Sequence, residues 1–491
     1  MTVTTKRRLV MTVLGATLGL ALVGSEAQVA AGPGAAGDGS GGPAVVHHAD
    51  GKVVKSGPLT HDVPDPALYR IGYPAVEPTL GRTKKGNVFY TAFQSNTRIE
   101  VVKSSDEGKT WEVVSPKFPN GRNAQLVSFD PYLYVDKYTS RVFTIDLTVA
   151  CAYLSYTDDE AKSWTTNPLA CGRPVNDHQT LFSGPPAVSP TAGYPNIVYY
   201  CWNDVGSSSC GKSLNGGITF TPTGSPAFGG YDPDAGDPES EDPEDKFCGG
   251  LHGHGFVGPD GTVYLPKGHC GDPWLAISKN EGATWTRVRV ATNGVAHHEA
   301  GVVADAKGNV YYLWVARDRL PYLAVSKDGG ETWSDPMMVG SPGIKESNLP
   351  GIDVGGGPGK IAMVYMGSEN SPGKPFPRQP ECTAIQACPA PKGYDNVTWN
   401  GYMTITTTAL DKNPVFYSAT VNDPKDPLIR QNCGPGRCRA AYDFIDIIVD
   451  HDGFVWGAFV DGCISVCSTT GPNNTGEDGV VGRLIGGPRL K

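Results

Sequence analysis

"SKDGGETW" occupies residues 326–333, and variants of it recur along the chain: "SSDEGKTW" from Ser104, "TDDEAKSW" from Thr157, "SLNGGITF" from Ser213 and "SKNEGATW" from Ser278. A second pattern precedes each of them, a Gly/Asp turn followed by a strand rich in Val and Tyr. It reads "KKGNVFYTAF" from Lys84, "SRVFTIDL" from Ser140, "PNIVYYCW" from Pro195 and "PDGTVYLPKG" from Pro259. It returns as "AKGNVYYLWVA" from Ala306, "GPGKIAMVYMG" from Gly357 and "HDGFVWGAFVDG" from His451, which makes seven copies. Short β-branched and aromatic runs punctuated by Gly, Asp and Asn predict an all-β chain, and a fixed repeat predicts one structural unit per copy. In the fifth copy "EAGVVAD", "NVYYLWVA", "YLAVSKD" and "TWSDPMMV" parse as four strands, A to D. Such a sheet has two apolar faces and must stack on others like it, so the prediction is a β-propeller with four-stranded antiparallel blades. Seven blades follow from the count, with six as the alternative.

The eight-residue stretch falls between strands C and D. Its Asp side chain accepts from backbone N–H groups of its own turn, its second Gly supplies positive φ, and its Trp supplies apolar area to a neighbouring blade. The copy from Thr157 has Ala161 in place of the Gly, and that from Ser213 has Asn215 and Phe220 in place of Asp and Trp. Blades six and seven lack the pattern, and blade seven offers only three strands before Lys491. A strand within "AVVHHADGKVV", residues 44–54, is expected to complete it.

Lys6, Arg7 and Arg8, then an apolar run from Leu9 to Val23 and small residues around Ala27–Ala31, read as a secretory signal peptide over 1–31. A flexible Gly/Ala/Ser leader over 32–43 and a single propeller domain over 44–491 follow it. The chain carries a net charge of −9, and loss of the leader leaves about −11, which excludes nucleic acid as a partner. No second long apolar run predicts a membrane span. The twelve cysteines suit an oxidising, extracellular location. Neighbour pairing is expected: Cys151–Cys171, Cys201–Cys210, Cys248–Cys270, Cys382–Cys388, Cys433–Cys438 and Cys463–Cys467. A monomer is expected.

In a propeller the A–B and C–D turns share one face, and the B–C and D–A loops share the other. The long segments 223–250, 367–398 and 421–442 all belong to the second face, which marks it as the binding face. The starts of the A strands there carry Glu77, Asp130, Asp177, His178, His252, His254, His297, His298, Glu299 and Asp443. The B–C loops add Asp204, His269, Arg317, Asp318, Arg319, Glu369 and Asp461. Carboxylates and imidazoles around a channel mouth suit acid–base chemistry, metal binding or sugar recognition. "HHEAG" from His297 and "LHGHG" from Leu251 have spacings open to metal, without matching a known zinc pattern. In the loop 231–245, Asp232, Asp234 and Asp237 offer alternating hard oxygens suited to Ca²⁺, the one cofactor suggested; none is otherwise required.

The S-x-D-x-G-x-T-W pattern resembles the Asp box, or BNR repeat, of the sialidase superfamily. That resemblance implies a carbohydrate-active propeller, most simply a glycosidase-like enzyme on an acidic glycan or polysaccharide. The superfamily's arginine motif is approached by "YRIGYPAVEP", where Arg70 and Ile71 stand two residues further from Pro74 than the family pattern has them. "AAYDFIDIIVDHDGFVWGAF" resembles the stretch carrying the family's tyrosine nucleophile, which puts that role on Tyr442 with Glu299 or Glu346 as partner. From their place at the starts of the A strands, Asp443 and Glu77 are acid–base candidates, and His178, His252 and His254 would line the sugar site. Arg70 would hold a substrate carboxylate, with Arg317, Arg319, Arg437 and Arg439 available to complete the clamp. The seven-unit count departs from the superfamily's six blades. Two alternatives therefore stand beside it: a polysaccharide lyase or histidine-dependent glycosidase using His298 or His254, and a non-catalytic propeller that binds glycan or protein.

Overall fold

A computed structural model describes residues 41–94, 98–117, 120, 130–148, 151–169, 177–204, 207–229, 251–296, 299–373, 396–430, 433, 434, 437, 438, 441, 443–464, 466–469 and 476–491. The signal segment 1–31, most of the leader, and Tyr442, His297, His298, Asp232, Asp234 and Asp237 lie outside these residues. Seven antiparallel sheets follow one another along the chain and make a seven-bladed β-propeller. Helix among the described residues is limited to single turns at Pro58–His61 and Val466–Thr469. None is long and apolar enough to cross a membrane.

Blade five shows how the sequence builds one unit. Its strands are Ala300–Ala304, Val310–Val315, Pro321–Ser326 and Met337–Met338, joined by tight turns. The second strand, VYYLWV, is buried at every position, because both of its faces meet neighbouring sheets. Tyr312 and Trp314 from this strand pack with Tyr264, Leu275 and Ile277 of blade four. The innermost strands crowd toward the axis. A Cβ on Gly81 of blade one would lie 2.2 Å from Val135 Cγ2 of blade two, and one on Gly301 of blade five 2.6 Å from Ile352 Cγ2 of blade six. Glycine is required there by space, since real Cβ atoms do not approach so closely.

The C–D turns repeat one hydrogen-bond pattern. In residues 326–333, Ser326 Oγ accepts from Gly330 N (2.8 Å) and donates to Asp328 Oδ1 (2.7 Å). Asp328 Oδ1 also accepts from Thr332 N (2.9 Å), and Gly330 has φ +98°. Trp333 Nε1 donates to Gly330 O (3.1 Å) and its ring packs beside Tyr312. The Asn215 copy keeps the bonds, Ser213 Oγ to Asn215 Oδ1 and Thr219 N to the same oxygen, because an amide oxygen accepts as a carboxylate does. At Ala161, in place of the glycine, the backbone still takes φ +68°, a conformation L-residues rarely adopt.

Closure differs from the expectation. Ala44–His48 does not complete blade seven; it pairs with Val415–Thr420 and adds a strand to the outside of blade six. The strand that completes blade seven is Pro66–Pro74, antiparallel to Asp478–Leu484. Both segments carry strand-forming sequence, and which edge each one meets is decided by tertiary packing rather than by local pattern.

Two expected disulfides are formed, Cys201–Cys210 and Cys463–Cys467. Cys270 is also disulfide-bonded, and its expected partner Cys248 lies outside the described residues. Cys433 stands opposite Cys438 in a two-stranded ribbon. Cys171, Cys382 and Cys388 lie outside the described residues.

Bonds from Thr332 hold the Asp328 carboxyl down at about 2, below its usual value. A depressed carboxyl contributes stability above its unfolded pKa of about 3.9, and that contribution is lost as pH falls through the folded value. The melting temperature should therefore drop between about pH 4 and pH 2. Asp328→Asn should melt lower than the parent at pH 7 and lose less on acidification; equal acid sensitivity in calorimetry would refute this role for the turn.

Candidate functional site

The innermost strands enclose an axial cavity of about 590 Å³. Each of these strands runs in the same sense, so its first residues stand at one mouth and its last at the other. At the first mouth, on the face of the long loops, lie His178, His254, Glu299 and Phe444; near the opposite one lie Lys84, Lys137, Asp450 and His451. Toward that opposite end Lys137 reaches from blade two to Asp353 of blade six, Nζ to Oδ1 2.7 Å.

Three side chains converge at the first mouth. His178 lies on the first strand of blade three, Glu299 just precedes that of blade five, and Asp443 just precedes that of blade seven. One ligand-type atom from each lies within 4.8 Å of the other two, and all three residues are buried. His178 Nε2 stands 3.7 Å from Glu299 Oε1. The local chain explains the aim of His178. A register shift falls between Asp177 and Thr180, and His178 takes φ +49°. Bulges of this kind re-aim a side chain, and left-handed backbone at a non-glycine residue is strain retained where the surroundings over-determine it.

A further carboxyl adjoins the cluster. Asp130 Oδ2 accepts from His178 N (3.3 Å). Burial, then the like charges of Asp177 and Asp443, push its carboxyl well above the usual carboxylate range. The side facing the cavity is aromatic: the His254 ring lies 5.2 Å from Tyr132 and 4.9 Å from Phe444. Burial lowers His254 to about 4, so this imidazole is neutral at pH 7. Its Nδ1 is 4.0 Å from Asp446 Oδ1, and burial raises Asp446 to about 7. His252 is fully buried and its Nδ1 lies 2.9 Å from Gly253 O, which makes that nitrogen the donor.

Other expected residues stand apart from this group. Glu77 is buried with φ +46° just before the first strand of blade one. Arg70 is on the closing strand of blade seven, where Asp461 Oδ2 holds its guanidinium at 2.7 Å. Arg319 is buried, bonded through Nε to the equally buried Glu346, and Arg317 is exposed. Arg70 and Arg319, both expected to hold a carboxylate, are thus already held by acidic partners; Arg439 lies outside the described residues. Asp446, Tyr132 and Phe444 were not singled out from the sequence. The available signal for Asp446 was a carboxylate interrupting the apolar run "FIDIIVD".

No family model matches the chain, and no curated protein matches it. Among solved structures it is similar to a Dyadobacter fermentans protein of unknown function, at 15% identity over 85% of this chain and 97% of that chain, with a TM-score of 0.38. An α-L-arabinofuranosidase from Fusarium graminearum matches at 12% identity over 73% and 96%, TM-score 0.38. An intramolecular trans-sialidase from Ruminococcus gnavus matches at 16% identity over 84% and 95%, TM-score 0.36. At such values these likenesses carry no argument about activity.

Removing one partner of a buried ion pair leaves the other charge uncompensated, at a cost of about 3–5 kcal/mol. Arg319→Ala should destabilise the protein by that order in denaturant titrations. The double change Arg319→Met with Glu346→Gln should recover much of it; a neutral Arg319→Ala would show that the pair is not structural.

Proposed function

We propose that the protein is an exported carbohydrate-active propeller that performs acid–base chemistry on a glycan at the channel mouth. The observation carrying this reading is the convergence of His178, Glu299 and Asp443, from three different blades, in a buried cluster that opens on a cavity with aromatic walls. Rigid positioning of proton-carrying groups on separate strand ends suits general acid–base catalysis, and Tyr132 and Phe444 offer apolar surface to a sugar ring. One group of the cluster donates a proton to the glycosidic oxygen as its C–O bond breaks and, once deprotonated, takes a proton from the water that then adds at the sugar carbon. Export is supported by the basic and apolar leader in the sequence and by the disulfides Cys201–Cys210 and Cys463–Cys467. A nucleophilic role for Tyr442 belongs to this proposal through the sequence resemblance alone, and a proton-transfer role for His298 through its place in the histidine-rich sequence alone.

Purified protein should be assayed on aryl glycosides of neutral sugars, on an aryl sialoside, and on uronic-acid polysaccharides with detection of unsaturated product. Turnover is expected, with kcat lowered about 100-fold or more in Glu299→Gln and in Asp443→Asn. Glycan retention on an affinity gel should change little in those variants. A protein that retains glycan but turns over none of these substrates would replace the enzymatic reading with the binding one; full activity in both variants would move the site elsewhere.

A further inference from the structure

The cluster of His178, Glu299 and Asp443 has the composition of a metal centre as well as of an acid–base group. We infer that these three side chains hold a divalent transition-metal ion, Zn²⁺ or Mn²⁺, at the channel mouth.

Bond lengths of about 2.0–2.2 Å to imidazole nitrogen and carboxylate oxygen place the ligand atoms of a tetrahedral ion about 3.3 Å apart. His178 Nε2 and Glu299 Oε1 are 3.7 Å apart, and Asp443 supplies its atom within 4.8 Å of both. A few tenths of an ångström of closure brings the first pair onto an ion. Three protein ligands with the remaining positions facing a cavity form the pattern of an open site.

The His252 ring centroid is 5.9 Å from that of His178. With Nδ1 donating to Gly253 O, His252 carries its lone pair on Nε2, and that atom is buried and without a hydrogen-bond partner. A neutral imidazole, fixed in tautomer by a backbone carbonyl and with its other nitrogen unused, is the form in which histidine ligates metal. The ring of His252 stands next to that of His178.

The donor set selects the ion. Ca²⁺ prefers six to eight oxygen ligands and Mg²⁺ a largely hydrated octahedron. Imidazole with two carboxylates suits Zn²⁺ and Mn²⁺ better. Such an ion would also let the acidic mouth accept a carboxylate-bearing sugar, a consequence that rests on the proposed glycan chemistry; the ion site does not.

The full-length secreted protein, stripped with chelator and dialysed, should be titrated separately with Zn²⁺, Mn²⁺ and Ca²⁺ by calorimetry, with metal content read by mass spectrometry. About one Zn²⁺ or Mn²⁺ per chain is expected, with a rise in melting temperature that chelator reverses. Asp443→Asn and Glu299→Gln should each weaken binding at least about tenfold. Co²⁺ loaded in place of the natural ion should give d–d absorption that changes in His178→Gln, a readout that needs neither activity nor an altered melting temperature. Circular dichroism identifies any variant that fails to fold, and the Co²⁺ spectrum of the parent protein still tests the site. The inference is overturned if the stripped protein takes up neither Zn²⁺ nor Mn²⁺, if Ca²⁺ alone binds, or if folded variants bind as the parent does. Ion uptake without turnover upholds this site and defeats the enzymatic reading; turnover without ion uptake does the reverse.

Discussion

Each blade is a sheet that is apolar on both faces, and this constraint governs the rest of the molecule. A central strand such as VYYLWV of Val310–Val315 has no polar side to offer solvent. Burial of both faces requires a blade on each side, and only a ring gives every blade two neighbours. The ring in turn brings the first strands together around the axis, so closely that Gly81 and Gly301 face Val135 and Ile352 without room for a Cβ. Side chains along these strands have nowhere to go but the axial cavity or the two mouths. The mouth cluster is a product of this crowding: His178, Glu299 and Asp443 are neighbours because the strands that carry or follow them converge.

Much of this was legible in residues 326–333 and the turns before them. The repeat set the number of units, and the strand period set their orientation. It therefore put the starts of the A strands at one mouth, including all three members of the cluster. What the sequence left open depended on distant partners. Arg70 and Arg319 read as free cations because Asp461 and Glu346, which hold them, come from other strands. The segment 44–54 read as the strand that closes blade seven, and only packing gave that place to Pro66–Pro74 and put Ala44–His48 at the edge of blade six. Asp446 passed as part of an apolar strand, because the cavity that it faces does not exist in one dimension.

The two ends of the cavity carry different groups. On one side Lys137 spans the axis to Asp353, and Asp353 also accepts from Val449 N, so a cation and a carboxylate are matched across blades. On the other side His178, Glu299 and Asp443 gather at the mouth that a neutral His254 also lines.

The closing strand Pro66–Pro74 has a kinetic consequence. Its partner, Asp478–Leu484, lies some four hundred residues later in the chain. The last sheet therefore cannot assemble until nearly the whole polypeptide has been made, and contacts of such separation form slowly. Residue Glu77 follows the closing strand directly, while Asp443 leads into the other side of the same sheet. The mouth is thus finished only at the final step of folding. Before that step, a nascent chain carries the parts of the cluster without their arrangement.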